Sequence, residues 1–217
     1  QFEKAAYGKL IRVMSHEVNN SVGASNSLLH SCLTYARELP EEHRADFESA
    51  LSIAIARTDQ LNAFMRSFAD VIRLPEPCLQ ACDVREVLEG IEMLMRAQCE
   101  ARHVGWRWVI DAPPGTVSMD RVQMEQVFLN LAKNALEAIG RDGVITIGFV
   151  RRDGRPAVVV EDSGPGLSPE ARQNLFTPFF STKENGQGIG LTLVQEILGR
   201  HHFRHSIDSP PGGPTRF

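Results

Sequence analysis

The chain opens on a long stretch of helical periodicity. Ile11, Ser15, Val18, Val22, Ser25, Leu29, Cys32, Ala36 and Leu39 recur at alternating steps of four and three, and Leu10, Met14 and Leu28 widen the stripe. This spacing predicts one helix over 2–38. Phe47, Leu51, Ala54, Thr58, Leu61, Met65, Phe68 and Ile72 hold the same rhythm and predict a second helix over 47–72. Leu39-Pro40-Glu41-Glu42 breaks the pattern between them, so the two helices form an antiparallel hairpin. A lone hairpin has too little surface to bury both stripes. Either it packs on the C-terminal half of its own chain or a second copy completes a four-helix bundle, and the sustained heptads favour the homodimer.

The pattern changes near residue 74. Arg73-Leu74-Pro75-Glu76-Pro77 cannot continue a helix, because proline lacks the amide donor and clashes with the preceding turn. This divides the chain into a hairpin at 1–74, a linker at 75–82 and a second domain at 83–217. In that domain, helical periodicity returns at Val84–Arg102 and Arg121–Ile139, and again at Gly190–Gly199. Strand-like alternation marks Val104–Ile110, Val144–Val150, Ala157–Glu161 and Phe203–Asp208, with Asp153-Gly154 as a hairpin turn. The predicted fold is an all-α helical hairpin followed by an α+β two-layer sandwich.

Composition narrows the function classes. Of 217 residues, 42% are hydrophobic, which is enough for a packed core and too many for a disordered chain. The formal charge of −4 argues against a nucleic-acid partner. No apolar run approaches the ~18–20 residues of a membrane span. The four cysteines, Cys32, Cys78, Cys82 and Cys99, form no CxxC pair and suggest a reduced, cytoplasmic protein. The ends at Gln1 and at GGPTRF read as cuts through a longer chain, so any membrane contact is expected only through parts outside this sequence.

Three local patterns carry candidate chemistry. In Asn130-Leu-Ala-Lys133-Asn134-Ala-Leu-Glu137-Ala, two carboxamides four apart share one helix face, and amide oxygens suit a hard cation such as Mg²⁺. Asp162-Ser-Gly164-Pro-Gly166-Leu follows a strand. A carboxylate there can accept a bond from an exocyclic amine, and the glycines let backbone approach a flat ring. Gly186-Gln-Gly188-Ile-Gly190-Leu191 opens a helix whose N–H groups can hold phosphate, although it fits neither a Walker loop nor a dinucleotide fingerprint. Between the last two patterns lies a ~20-residue stretch without strong periodicity, a length typical of lids. It contains Asn174-Leu-Phe176-Thr-Pro-Phe179-Phe180-Ser-Thr-Lys183, and Lys183 offers a cation for phosphate.

NLAKNALEA, DSGPGL, LFTPFFSTK and GQGIGL, in this order and spacing, resemble the N, G1, F and G2 boxes of two-component sensor histidine kinases. That nucleotide fold is shared with gyrase-type and chaperone ATPases. The resemblance covers roughly residues 83–217 and implies ATP and Mg²⁺ as cofactors. It implies Asn134 as Mg²⁺ ligand with Asn130 beside it, and Asp162 bonded to the adenine amine. Lys133, Lys183 and the backbone at Gly186, Gly188, Gly190 and Leu191 would face the phosphates, Gly164 and Gly166 the base, and Phe176 and Phe180 the lid. Gyrase-like hydrolases typically carry a water-activating glutamate four residues before the Mg²⁺ asparagine. Here Asn130 stands there, and an amide is not a general base at neutral pH.

The first helix contains Ser15-His16-Glu17-Val18-Asn19-Asn20, which resembles the phosphoacceptor box of the same family. The resemblance implies His16 as the phosphorylated residue, Glu17 as its proton acceptor and Asn20 as the residue orienting water or partner during phosphate removal. It further implies an aspartate-bearing receiver domain of a response regulator as partner. Ser21 stands where many members have proline, which leaves a straighter helix. His30, His43, His103, His201, His202 and His205 match no box and read as surface. The competing reading is an ATP-driven conformational ATPase of the gyrase or chaperone type.

Overall fold

The structure, a computed structural model, describes residues 2–72, 74–111, 115–152, 154–177, 180–183, 188–210 and 212–217, with backbone alone at 2–17, 19, 63–64 and 66–72. Two compact units divide it, Gln1–Leu74 and Pro75–Phe217.

The first unit is a helical hairpin. Helix α1 spans Phe2–Tyr35, a 3-10 turn follows at Ala36–Glu38, and α2 spans Glu41–Ile72. Helix α2 starts six residues before the periodic stripe does. Pro40 fits a helix start because its missing N–H would be unpaired there anyway, and Glu41 and Glu42 complement the positive end of the dipole. Arg44 Nη2 donates to the carbonyls of Arg37 (3.0 Å) and Leu39 (2.9 Å), satisfying acceptors that the end of the first helix leaves open. Asn26 Nδ2 donates across the hairpin to Asp59 Oδ1 at 2.7 Å. The hairpin covers only part of its apolar stripes: Leu28 is 67% exposed and Ile53 62%, and Cys32, Tyr35, Phe47 and Leu61 are exposed as well.

The second unit is a two-layer α+β sandwich. Strand β1 (Gln80–Asp83) pairs antiparallel with β3 (Thr116–Met119). The main sheet has the order β2-β4-β5-β6, with β2 at Val104–Ile110, β4 at Gly143–Arg152, β5 at Arg155–Asp162 and β6 at Thr215–Arg216. β2 and β4 are parallel and the other pairings antiparallel. Helices α3 (Val84–Ala101) and α4 (Arg121–Ile139) supply the apolar layer with α6 (Gly190–Arg200), while α5 (Pro169–Asn174) is short. Ile145, Ile147 and Phe149 alternate along β4 and are buried in the core, as are Val87, Leu88, Ile91 and Met95 of α3 and Val127, Leu131 and Leu136 of α4. Trp108 stacks on Phe149 at 6.0 Å and donates its indole N–H to Glu92 Oε2 at 2.9 Å.

Three expectations change. The segment at 75–82 is not a free linker but part of the second unit. Its end forms β1, the Cys78 N–H donates to Asp120 Oδ2 at 2.9 Å, and Gln123 Nε2 donates to the Pro75 carbonyl at 3.0 Å. The expected strand at Phe203–Asp208 does not form. The chain turns at His202, where φ is +57°, and the place beside β5 is taken by β6, to which Asp208 adds a single bridge. His201 is buried rather than a surface residue, and His205 is half-buried. The His201 Nε2 accepts the Asp120 N–H at 3.0 Å while Nδ1 faces the Ile197 carbonyl at 2.8 Å, and the His205 ring stacks on Phe217.

Candidate functional site

A cavity of about 470 Å³ opens between α4, the end of β5, the segment before α6 and the C-terminal strand. Helix α4 is set by its cap: Asp120 Oδ1 accepts the Gln123 N–H at 3.0 Å. Its apolar face enters the core and its other side presents Asn130, Lys133, Asn134 and Glu137 to the cavity. Asn130 Nδ2 donates to the Gln126 carbonyl at 2.9 Å. Its Oδ1 faces α6, where a Cβ on Gly190 would come within 3.0 Å of it. Glycine at 190 therefore lets the two helices approach closely enough to share the cavity.

Asp162 ends β5 on the cavity wall and is 7% exposed. Burial pushes its carboxyl above the ordinary carboxylate range, and bonds from the Gly164 and Thr215 N–H groups hold it part of the way back. A Cβ on Gly164 would meet Asp162 Oδ1 at 2.6 Å and the Ala138 backbone at 3.1 Å. Gly166 has φ +77°, and a Cβ there would come within 2.2 Å of the Pro210 carbonyl oxygen. Neither Gly164 nor Gly166 lines the cavity; both shape the turn that carries Asp162. Ser209 fixes that turn from behind, accepting the Leu167 N–H at 2.8 Å and bonding Thr215 Oγ1 at 2.9 Å.

Gly188, Ile189, Gly190 and Leu191 line the opposite wall at the N-terminus of α6. Ile189 at the N-cap position makes no side-chain cap bond, and the partial positive charge and first N–H groups of the helix suit an anion. Gly188 has φ +65°, as the tight entry requires. Lys183 stands at the rim in an ion pair with Glu137, and Phe180 lines the wall nearby. Phe176 lies outside the cavity wall and packs edge-on against His205 at 5.6 Å. Gly186 falls outside the described residues.

Among the described residues, no group of three His, Cys, Asp or Glu side chains could hold a metal ion. The donor set on α4 is neutral amide oxygen. It fits Mg²⁺, which takes few protein ligands and shares waters and substrate phosphates, and the Asn130 Oδ1 beside Gly190 is free of intrahelical bonding.

His16 and Glu17 lie in α1 with side chains outside the described ones, and Asn20 is exposed on the same helix. The structure thus gathers Asn130, Lys133, Asn134, Asp162, Phe180, Lys183, Gly188, Gly190 and Leu191 around one cavity. Sequence reasoning missed Ile207, Thr215 and Phe217, which complete its wall. Thr215 and Arg216 form a strand of two residues, too short for any periodic signal.

Residues 119–217 match the family described as histidine kinase-, DNA gyrase B- and HSP90-like ATPases. The sensor histidine kinase ZraS of Klebsiella oxytoca is 34% identical over 216 residues, covering 98% of this chain and 45% of its own. The C4-dicarboxylate transport sensor protein DctB of Rhizobium meliloti is 31% identical over 215 residues, 97% of this chain and 34% of its own. The chain therefore spans less than half the length of these relatives. Full-length ShkA in complex with AMPPNP superposes over 96% of this chain and 44% of its own, with a TM-score of 0.73 at 24% identity. The histidine kinase ThkA in complex with the response regulator TrrA superposes over 99% and 63%, with a TM-score of 0.66 at 18% identity. Among the described residues, no helix is long and apolar enough to cross a membrane.

Proposed function

This chain belongs to the sensor histidine kinases, and from that premise we propose that it transfers the γ-phosphoryl group of ATP to His16 and then to an aspartate of a response regulator. The observation that carries the nucleotide half is one cavity holding a buried carboxylate (Asp162), two amides on one helix face (Asn130, Asn134) and a helix N-terminus (Gly190). Asp162 accepts the adenine amine. Its burial makes that bond selective, because a partner unable to donate leaves the carboxylate unsatisfied. The α6 N–H groups and Lys183 receive the phosphates. Asn134, with Asn130, would hold Mg²⁺, which supplies charge neutralisation for the transferring phosphoryl group and ADP.

His16 attacks phosphorus through one neutral imidazole nitrogen as the bond from phosphorus to the ADP oxygen breaks. The ring becomes cationic, and Glu17 takes the proton from the other nitrogen. Asn130 favours this over hydrolysis, since no carboxylate occupies the place from which the gyrase-type enzymes activate water. The exposed apolar residues Leu28, Phe47, Ile53 and Leu61 support a homodimer through the hairpin. Dependence on ATP and the four unpaired cysteines support a cytoplasmic catalytic portion.

Incubation with γ-labelled ATP and Mg²⁺ tests the proposal. Acid-labile label on the protein is expected. Steady phosphate release with no labelled protein favours the conformational ATPase instead.

A further inference from the structure

Glu137 follows Asn134 by three positions, on the same face of α4. Its carboxylate forms an ion pair with Lys183 at the cavity rim, although 46 positions separate the two residues. The Lys183 backbone N–H donates to Ser181 Oγ at 3.1 Å, tying the residue to a turn that also lines the cavity. Both side chains are about half exposed. Exposed ion pairs add little to folding stability, so the significance of this pair lies in where it holds the charge.

We propose that Glu137 is a positioning residue that holds the Lys183 ammonium at the cavity rim and yields it to the phosphates of ATP. This rests on the reading of the cavity as an ATP site. A lysine ammonium is a flexible, strongly hydrated point charge on a long stem. The carboxylate gives it one place to wait and keeps it from collapsing onto Asp162, whose carboxyl already senses its charge. Binding then exchanges a carboxylate partner for phosphate oxygens. When the phosphates leave, Glu137 recaptures the lysine, which speeds nucleotide release.

The test compares the whole chain with Glu137→Gln, Lys183→Met and the double variant. Hydrogen exchange of the Lys183 amide, measured without nucleotide, is expected to quicken about two- to five-fold in Glu137→Gln, the span that exposed pairs support. Calorimetric titration with Mg²⁺-ATP is expected to show tighter binding by a similar factor in Glu137→Gln, and no such gain in the Lys183→Met background. Exchange that stays unchanged overturns the proposal whether or not ATP binds. A gain of equal size in the Lys183→Met background also overturns it, because Glu137 then acts on the phosphates directly. Failure of the wild-type chain to bind Mg²⁺-ATP counts against the ATP-site reading alone, since the exchange measurement is made without nucleotide.

Discussion

Gly164 donates its backbone N–H to Asp162 Oδ1 at 2.8 Å, in a turn where a Cβ on Gly164 would strike that same oxygen. The bond orients the carboxylate at the end of β5 and leaves its remaining acceptor capacity for a ligand. Backbone and side chain are thus one device: the turn exists to aim Asp162.

Asp162→Asn should weaken ATP binding roughly 10- to 100-fold, the range for a bond to a charged partner, while the fold survives. Its effect on stability depends on pH. Burial, the largest influence, raises the Asp162 pKa in the folded chain. The folded protein therefore keeps a proton that the unfolded chain has lost, and stability falls as pH rises from the ordinary carboxylate range to that raised value. The asparagine variant lacks this fall, so its stability should gain on the wild type across that acidic window and hold a constant difference above it. Urea melts across the window, with nucleotide titration at neutral pH, check both.

Gly166→Ala should destabilise the second unit. Its φ of +77° disfavours any Cβ, and the Pro210 carbonyl lies 2.2 Å from where that carbon would sit. A loss of about 1–3 kcal/mol is expected, read from the shift in urea midpoint. A midpoint unchanged from wild type would mean that the backbone at Pro210 and Gly213 yields freely.

Much of this was legible in the residues. Ile145, Ile147 and Phe149 alternate plainly, and the predicted β2 and α4 have the observed limits, α4 because its Asp120 cap and its periodicity agree. The strand expected at Phe203–Asp208 gives way to irregular chain in which His205 packs against both Phe176 and Phe217. These two contacts join residues 29 and 12 positions apart, and no local pattern encodes them. The boxes revealed the cavity's polar groups, whereas Ile207 and Phe217 lie on irregular chain and become wall residues only through tertiary packing. Glu137 stood in the sequence beside Asn134, but its partner Lys183 was visible only in three dimensions.

Asp120→Ala should loosen the start of α4 and its hold on Cys78 in the segment before β1. Burial alone would raise the Asp120 pKa, but bonds from the N–H groups of Gln123, Cys78 and Val122 outweigh it and hold the carboxyl below its ordinary value. Its stabilisation is therefore present above the unfolded carboxylate pKa and lost as pH falls through the depressed folded value. The variant should lose about 0.5–2 kcal/mol at neutral pH, and the difference should vanish in strong acid. Paired thermal melts at the two pH values test this, and an equal difference at both would contradict the cap.

The central claim is phosphoryl transfer from ATP to one histidine of the hairpin. The most direct measurement is γ-labelled ATP with Mg²⁺ applied to the wild type and to His16→Gln, with the label mapped and its acid lability determined. The account predicts acid-labile phosphate on His16, none in His16→Gln, and equal ATP affinity in both. Label of equal amount in His16→Gln, or label at any other residue, would contradict it.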